Sequence, residues 1–333
     1  MRPRTRVAVV GGPVAAVLLA GVFTVALTDR FDVPFIAVEE NWGIGVYASV
    51  DPLVLDEHGQ ENPVLTRSDV SDRTATGVAD PFILIEGDRW WLFFEIIQRK
   101  RGAPNDEHGV IGVSWSTDHG QTWTYGGVVL EEAHHLSYPQ VFEYDGTFYM
   151  VPESLSAGRV TLYAAERFPD SWTADTTLLV GDYTDPTILR YDEMWWLFVA
   201  ESADGPDDTL RLYYADELRG SWTQHPRSPI VSGDVSKARP AGSVALIDGQ
   251  LHRFAQDNTE GYGRAVRVFR IDVLTTTGYH ETEALGGPLI EGSGIGWNAE
   301  GMHHVSLVRL TDGTWTTAVD GFTVSRVFGL TYR

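Results

Sequence analysis

The chain has 333 residues, 46 acidic and 25 basic side chains, a formal net charge of −21 and no cysteine. That length can bury a large core without staples, and the missing cysteines exclude disulfides, thiolate zinc sites and cysteine nucleophiles. A body this acidic repels phosphate backbones and anionic lipid, so nucleic acid is not an expected partner.

The N-terminal segment, residues 1–30, reads as an address. Arg2, Arg4 and Arg6 precede an uncharged run from Val7 to Leu27, about the length that crosses a bilayer core as one helix. Positive charge ahead of the run predicts a cytoplasmic tip and a body, residues 31–333, outside the cytoplasm. A signal anchor is expected, holding the protein to the membrane. The alternative is a cleaved signal peptide and a secreted protein, but the apolar core is long for one and no small-x-small site precedes Thr28.

The body shows short alternating runs, frequent turns and almost no helical periodicity, which predicts an all-β fold. One unit recurs five times. It begins at Asp80-Pro81, Tyr138-Pro139, Asp185-Pro186, Arg239-Pro240 and His303-His304. Each copy is a strand, a turn such as Asp145-Gly146, Asp248-Gly249 or Asp312-Gly313, and an aromatic second strand. The spacing suits four-stranded blades and predicts a five-bladed β-propeller. A strand in residues 42–55 has no partner of its own and is expected to close the ring through the last blade. A β-sandwich explains neither the repeat nor the matched turns. Ser116-Thr-Asp118-His-Gly120-Gln-Thr-Trp123 has the S-x-D-x-G-x-x-W form of an outer hairpin turn on a blade, so Asp118 is expected to be structural. The pairs Trp90-Trp91, Phe148-Tyr149 and Trp195-Trp196 are expected between blades.

In such a ring the first strand of each blade lines the channel. Its starting residue sits at one mouth, and the second strand returns to that mouth further out. This predicts an inner ring of Asp80, Tyr138, Asp185, Arg239 and His303. It also predicts an outer ring of Glu95, Glu153, Glu201, Gln256 or Asp257, and Asp320. Ionisable side chains are costly to bury unpaired, so the cluster is a candidate site. Its bland alternative is that the strand-start acids only cap backbone amides. The pairs His134-His135 and His303-His304 lie near the same mouth, and strand alternation predicts that at most one of each pair faces the channel. No P-loop, dinucleotide fingerprint or H-E-x-x-H occurs.

The Asp80-Pro81 and Asp185-Pro186 strand starts resemble five-bladed glycosidases of the arabinanase, fructosidase and levansucrase type. More specifically, Trp42-Gly-Ile-Gly-Val, His135-Leu-Ser-Tyr138-Pro139 and Val151-Pro152-Glu153-Ser154 resemble the N-terminal propeller domain of glucosamine inositolphosphorylceramide transferases and its bacterial relatives. The glycosidase resemblance implies a carbohydrate substrate, with Asp80 as base or nucleophile and Asp185 tuning the acid. The general-acid Glu of blade four is missing, because that blade opens with Ala238-Arg239-Pro240. Glu153 is the first replacement acid and Glu201 the second. His135, Tyr138, Arg239, His303 and His304 are expected to bind sugar hydroxyls or an anionic group. The resemblance also implies a possible axial divalent cation, calcium, near His303 or His304, although a hydrogen-bonding role is expected for these rings first. Hydrolysis leads over two alternatives, a non-catalytic glycan-binding propeller and an accessory domain in glycan or glycolipid assembly. A sialidase, suggested by the outer hairpin motif, is disfavoured because Arg239 alone stands at an inner-ring position.

Overall fold

A computed structural model describes residues 36–55, 61–99, 107–201 and 207–328. The expected anchor at 1–30 lies outside the described residues. Among those described, no helix is long and apolar enough to cross a membrane.

Five antiparallel sheets follow one another along the chain. Blade one is β3 (Ala75–Glu86), β4 (Arg89–Arg99), β5 (Glu107–Ser116) and β6 (Thr124–Leu130). Blade two is β7 (Ser137–Tyr144), β8 (Thr147–Glu153), β9 (Arg159–Arg167) and β10 (Ser171–Val180). Blade three is β11 (Tyr183–Tyr191), β12 (Met194–Glu201), β13 (Thr209–Ala215) and β14 (Thr223–Gln224). Blade four is β15 (Ala245–Ile247), β16 (Gln250–Asp257), β17 (Ala265–Leu274) and β18 (Tyr279–Glu283), with β19 (Ile290–Glu291) also on β17. Blade five joins β20 (Val305–Arg309) and β21 (Trp315–Phe328) to β1 (Ile36–Ser49) and β2 (Leu65–Thr66). The strand around Trp42 therefore closes the last blade, as its lack of a sequential partner predicted.

Aromatic side chains of the second strands fill the gaps between blades. Trp195 of blade three packs 5.7 Å from Phe142 and 4.9 Å from Tyr144 of blade two. Phe93 of blade one meets Phe168 and Trp172 of blade two. The outer hairpin motif is a closed turn. Ser116 Oγ lies 2.7 Å from Asp118 Oδ1 and accepts from Gly120 N, and Asp118 accepts from Thr122 N. Asp118 is structural.

The Asp-Pro and Tyr-Pro strand starts are bulges. Asp80, Tyr138 and Asp185 take φ of 52°, 47° and 47°, and register slips there between Ala79 and Phe82, Ser137 and Gln140, and Thr184 and Thr187. Left-handed backbone is uncommon for residues with a Cβ and is an outlier for a tyrosine; each such residue costs about 1–3 kcal/mol. The surroundings hold the strain in place, because a carboxylate accepts the N–H of each bulged residue. Asp320 of blade five takes Asp80 N at 3.0 Å, Asp80 takes Tyr138 N at 3.2 Å, and Glu153 of blade two takes Asp185 N at 3.1 Å. Blades five, one and two thus each stitch the blade that follows. Of the strand-start acids, Asp80 does cap a backbone amide, whereas Asp185 receives the Arg239 and Gln256 side chains and the other two caps come from second-strand ends.

Blade four departs from the repeat. Its first strand starts at Ala245, and Arg239-Pro240 attaches to the blade by one bridge from Pro240 to Ala255. The intervening Gly242 has φ +127°, and a Cβ there would collide with the Val305 carbonyl of blade five. Val305 N donates to the Ala241 carbonyl here, joining blades four and five through the backbone.

Candidate functional site

The bulges and the second-strand ends converge at the predicted mouth. Asp80 is nearly buried. Its Oδ2 caps Tyr138 N, while its Oδ1 looks toward two histidines, 3.6 Å from His304 Nδ1 and 3.9 Å from His303 Nε2. Burial by itself pushes the Asp80 carboxyl up, but His304, His303 and Arg239 outweigh burial and hold it at about 2. Asp80 is therefore ionised across the physiological range.

Both members of the His303-His304 pair reach Asp80. The expectation that at most one would do so fails because β20 begins only at Val305, so strand alternation does not govern these two residues. His303 Nδ1 lies 2.7 Å from Asp320 Oδ2, and its Nε2 lies 2.9 Å from the Tyr262 hydroxyl. Burial opposes charging of this ring, but Asp320 and Asp80 drive it up to about 9. The His304 ring is wholly buried, edge-on to Phe82 and Tyr138, with no hydrogen-bond partner for either nitrogen.

Asp80, His303 and Asp320 bring one potential ligand atom each within 4.8 Å of one another. Asp320, however, already receives three backbone amides, Asp80 N, His303 N and His304 N, and its Oδ2 lies against the His303 ring. A carboxylate has about four acceptor positions, and buried backbone amides take three of those on Asp320. What remains is one Asp80 oxygen and an imidazole. Calcium takes six to eight oxygens, and these residues do not fit it.

Arg239, where the glycosidase pattern has a carboxylate, is a counter-charge. Its Nε lies 2.6 Å from Asp185 Oδ2, its Nη1 2.7 Å from Asp207 and its Nη2 3.7 Å from Glu153. Asp185 also receives Gln256 Nε2 at 2.9 Å. The guanidinium carbon sits 5.2 Å from the half-exposed Tyr262 ring. Arg239 and Asp185 hold each other, and Glu153 is occupied by the Asp185 amide.

Glu201, the second expected acid, turns to its own blade and pairs with Arg211 at 2.7 Å. Asp257 does likewise with Arg267 at 2.6 Å. The Tyr138 hydroxyl is buried between Thr187 Oγ1 (2.7 Å) and Gly242 N (2.6 Å), locking blades two, three and four. Glu95 points back to the mouth, where its Oε1 lies 2.9 Å from His135 Nε2. His135 is the more open partner, with about a third of its side chain exposed (35%).

Asp80, Glu95, Glu153, Asp185, Arg239, His135, His303 and His304 thus form one neighbourhood, and Glu201 does not share in it. The sequence carried no signal for Tyr262 or Asp207. Both sit in connections outside the repeat, where only tertiary folding brings them to Arg239.

The chain matches the family described as glucosamine inositolphosphorylceramide transferase 1, N-terminal, over residues 37–322. It is 32% identical over 339 residues to glucosamine inositolphosphorylceramide transferase 1 of Oryza sativa subsp. japonica, covering 94% of this chain and 45% of that protein. It is 35% identical over 306 residues to the Arabidopsis thaliana protein of the same name, covering 85% and 39%. The chain spans less than half the length of these relatives. Among solved structures, the fold resembles a Listeria innocua β-1,2-mannobiose phosphorylase (TM-score 0.59, 12% identity, 83% of this chain and 96% of that one). It also resembles the catalytic domain of a Coprinopsis cinerea GH62 α-L-arabinofuranosidase (TM-score 0.55, 14% identity, 86% and 98%). By the extent of the family match and the identity to both plant proteins, the chain belongs to the glucosamine inositolphosphorylceramide transferase 1, N-terminal, family.

Proposed function

We propose that this propeller hydrolyses a glycosidic bond in a cell-surface or extracellular glycan, with Asp80 as base or nucleophile. The observation that carries the reading is Asp80 itself. It is a carboxylate kept ionised at the channel mouth, in strained backbone, with Oδ1 left over after Oδ2 has capped the next blade. Strain and perturbed ionisation concentrate at functional sites. Glycoside hydrolysis needs such a carboxylate on one side of the bond and an acid on the other.

A carbohydrate ligand is supported further by the half-exposed Tyr262 ring against Arg239 and by the partly open His135. The relatives' name, a glucosamine inositolphosphorylceramide transferase, also puts a sugar in the ligand class. In this reading Asp185, Asp207 and Glu153 fix Arg239, Gln256 fixes Asp185, and Arg239 fixes the wall of the site. The proposal includes attachment by the Arg-led segment at residues 1–30, with the propeller outside the cytoplasm. A second reading, a glycan-binding propeller without catalysis, is favoured by Arg239 standing where the glycosidase pattern has its acid.

The test incubates the protein and Asp80→Asn with a panel of surface and cell-wall glycans, followed by NMR of anomeric protons. New reducing ends with the parent and none with the variant are expected. Line broadening of a glycan without cleavage would move the assignment to binding. Cleavage by both proteins alike would remove Asp80 from the chemistry.

A further inference from the structure

Glu95 is the one second-strand carboxylate at the mouth whose partner is a histidine instead of an arginine or a bulge amide. It lies at the register position opposite Ala79, next to Asp80. His135 Nε2 is 2.9 Å from its Oε1. The other ring nitrogen, Nδ1, accepts the Gly109 backbone N–H at 2.9 Å. That second bond determines the tautomer. Burial disfavours a charged His135 while Glu95 favours one, toward about 9. Charging, however, needs a proton on Nδ1, where the Gly109 N–H already points. The ring is therefore neutral, with its single proton on Nε2 directed at Glu95 Oε1.

The pair is built in tightly. A Cβ on Gly109 would stand 2.5 Å from Glu95 Oε1 and 2.8 Å from His135 Nε2, besides striking the Leu136 carbonyl. Only a residue without a side chain leaves room for both groups. With Oε1 taken by the imidazole, Oε2 is the oxygen left to carry a proton. Burial pushes the Glu95 carboxyl above the ordinary glutamate range, and nearby Asp80 adds to the rise against the opposing His135 and His303. The charged groups acting on His135 include Glu95, Glu153, Asp80 and the adjacent His134.

We propose that Glu95, oriented by His135, is the proton donor to the leaving oxygen, in place of the blade-four acid that this chain lacks. The proposal rests on the hydrolytic reading above. In the step, water attacks the anomeric carbon and gives one proton to Asp80. The bond from the anomeric carbon to the glycosidic oxygen breaks, and that oxygen takes the proton from Glu95 Oε2. One water is consumed, a hemiacetal and an alcohol leave, and the proton on Asp80 returns through solvent to Glu95. His135 is a positioning residue, since it holds Oε1 and leaves Oε2 to act.

The experiment has two arms on the full chain. Carboxyl-carbon NMR, with Glu95→Gln identifying the signal, is expected to show one glutamate titrating well above the others. Long-range proton–nitrogen spectra are expected to show His135 neutral with its proton on Nε2 at pH 7. A Glu95 signal titrating at or below the ordinary value, or a doubly protonated His135, overturns the proposal whatever the activity. In the second arm, methyl and 4-nitrophenyl glycosides of arabinofuranose, xylose, galactose, mannose and glucosamine are the probes. Glu95→Gln keeps the acceptor for His135 but cannot donate the proton. It is expected to lose about 10²–10⁴-fold on the methyl glycosides and far less on the 4-nitrophenyl ones, whose leaving group needs little help. His135→Gln is expected to shift the alkaline limb of the pH profile, where Glu95 loses its proton. Equal loss on both leaving groups, or no loss, overturns the acid role while leaving hydrolysis standing. No cleavage by the parent overturns hydrolysis and the acid role together. If Glu95→Gln does not fold, Glu95→Asp, which withdraws the carboxyl by one methylene, is read the same way.

Discussion

Replacing Arg239 by leucine tests the electrostatics on which the site is built. The change leaves Asp185, almost fully buried, with Gln256 as its side-chain donor, and it strips Asp207 and Glu153 of their shared counter-charge. Removing one partner of a buried ion pair costs about 3–5 kcal/mol, because the remaining charge has no partner. At roughly 2–4 °C per kcal/mol for a domain near this size, the melting temperature at pH 7.5 should fall by about 10 °C. The sign of the pH dependence follows from the orphaned acid. Burial already pushes the Asp185 carboxyl above its unfolded value against the opposing Arg239, and without Arg239 it rises further, so the folded variant binds the extra proton more strongly. Its stability is then greatest below the unfolded pKa of about 4 and falls as pH rises through the folded one. The deficit relative to the parent should therefore shrink at pH 4.5. Arg239→Leu with Asp185→Asn should recover part of the loss at pH 7.5. Melting of the three variants followed by circular dichroism at both pH values is the assay. A deficit under about 2 °C at pH 7.5, or one that does not narrow at pH 4.5, would refute the assignment of Arg239 as the internal counter-charge.

Other outcomes follow from single contacts. Asp80→Asn should fold, since asparagine tolerates left-handed backbone. The parent carboxyl, held at about 2 against an ordinary 3.8, contributes stability above pH 4 that disappears as pH falls to 2, worth about 2 kcal/mol. Acid unfolding should thus reveal a gap between parent and variant that closes across that window; a gap that persists at pH 2 would contradict the ionised assignment. Tyr138→Phe removes the hydroxyl that accepts Gly242 N and should cost about 1–3 kcal/mol in denaturant unfolding; a neutral result would mean that water takes its place. Gly242→Ala should yield no folded protein, because both the φ of +127° and the Val305 carbonyl oppose a Cβ; a soluble variant with the parent's melting temperature would show that this approach relaxes. Chelator or added calcium should leave the melting temperature unchanged, since backbone amides hold Asp320 and the cluster offers too few oxygens for calcium. A rise of several degrees with calcium would overturn that argument.

Much of the architecture was legible in order along the chain. A blade is a local object, with two strands joined by a short Asp-Gly-like turn and an aromatic edge facing the next blade, so its period is written in the sequence and repeats five times. The X-Pro starts marked the mouth for the same reason, since each copy places its bulge at the same point of the same strand. Residues Asp80, Tyr138 and Asp185 could be set side by side without knowing a single distance. The closing strand around Trp42 was legible through its lack of a sequential partner.

The pairings were decided by the tertiary structure alone. Equivalent positions in the repeat predict which residues come near one another and not which atoms bond. Glu95, Glu153 and Glu201 end matching strands, yet one meets a histidine, one a bulge amide and one an arginine of its own blade. The difference comes from residues outside the repeat: Gly109 makes room for His135, and Arg211 stands across the sheet from Glu201. Tyr262 and Asp207 reach Arg239 from connections that have no repeat to announce them. A ring of five blades with ionisable groups around one mouth is written along the chain, because backbone pairing and turn chemistry are local. Which carboxylate is paired, which is capped and which is left holding a proton depends on contacts between residues far apart in the chain, and only the assembled ring brings those residues within hydrogen-bonding distance.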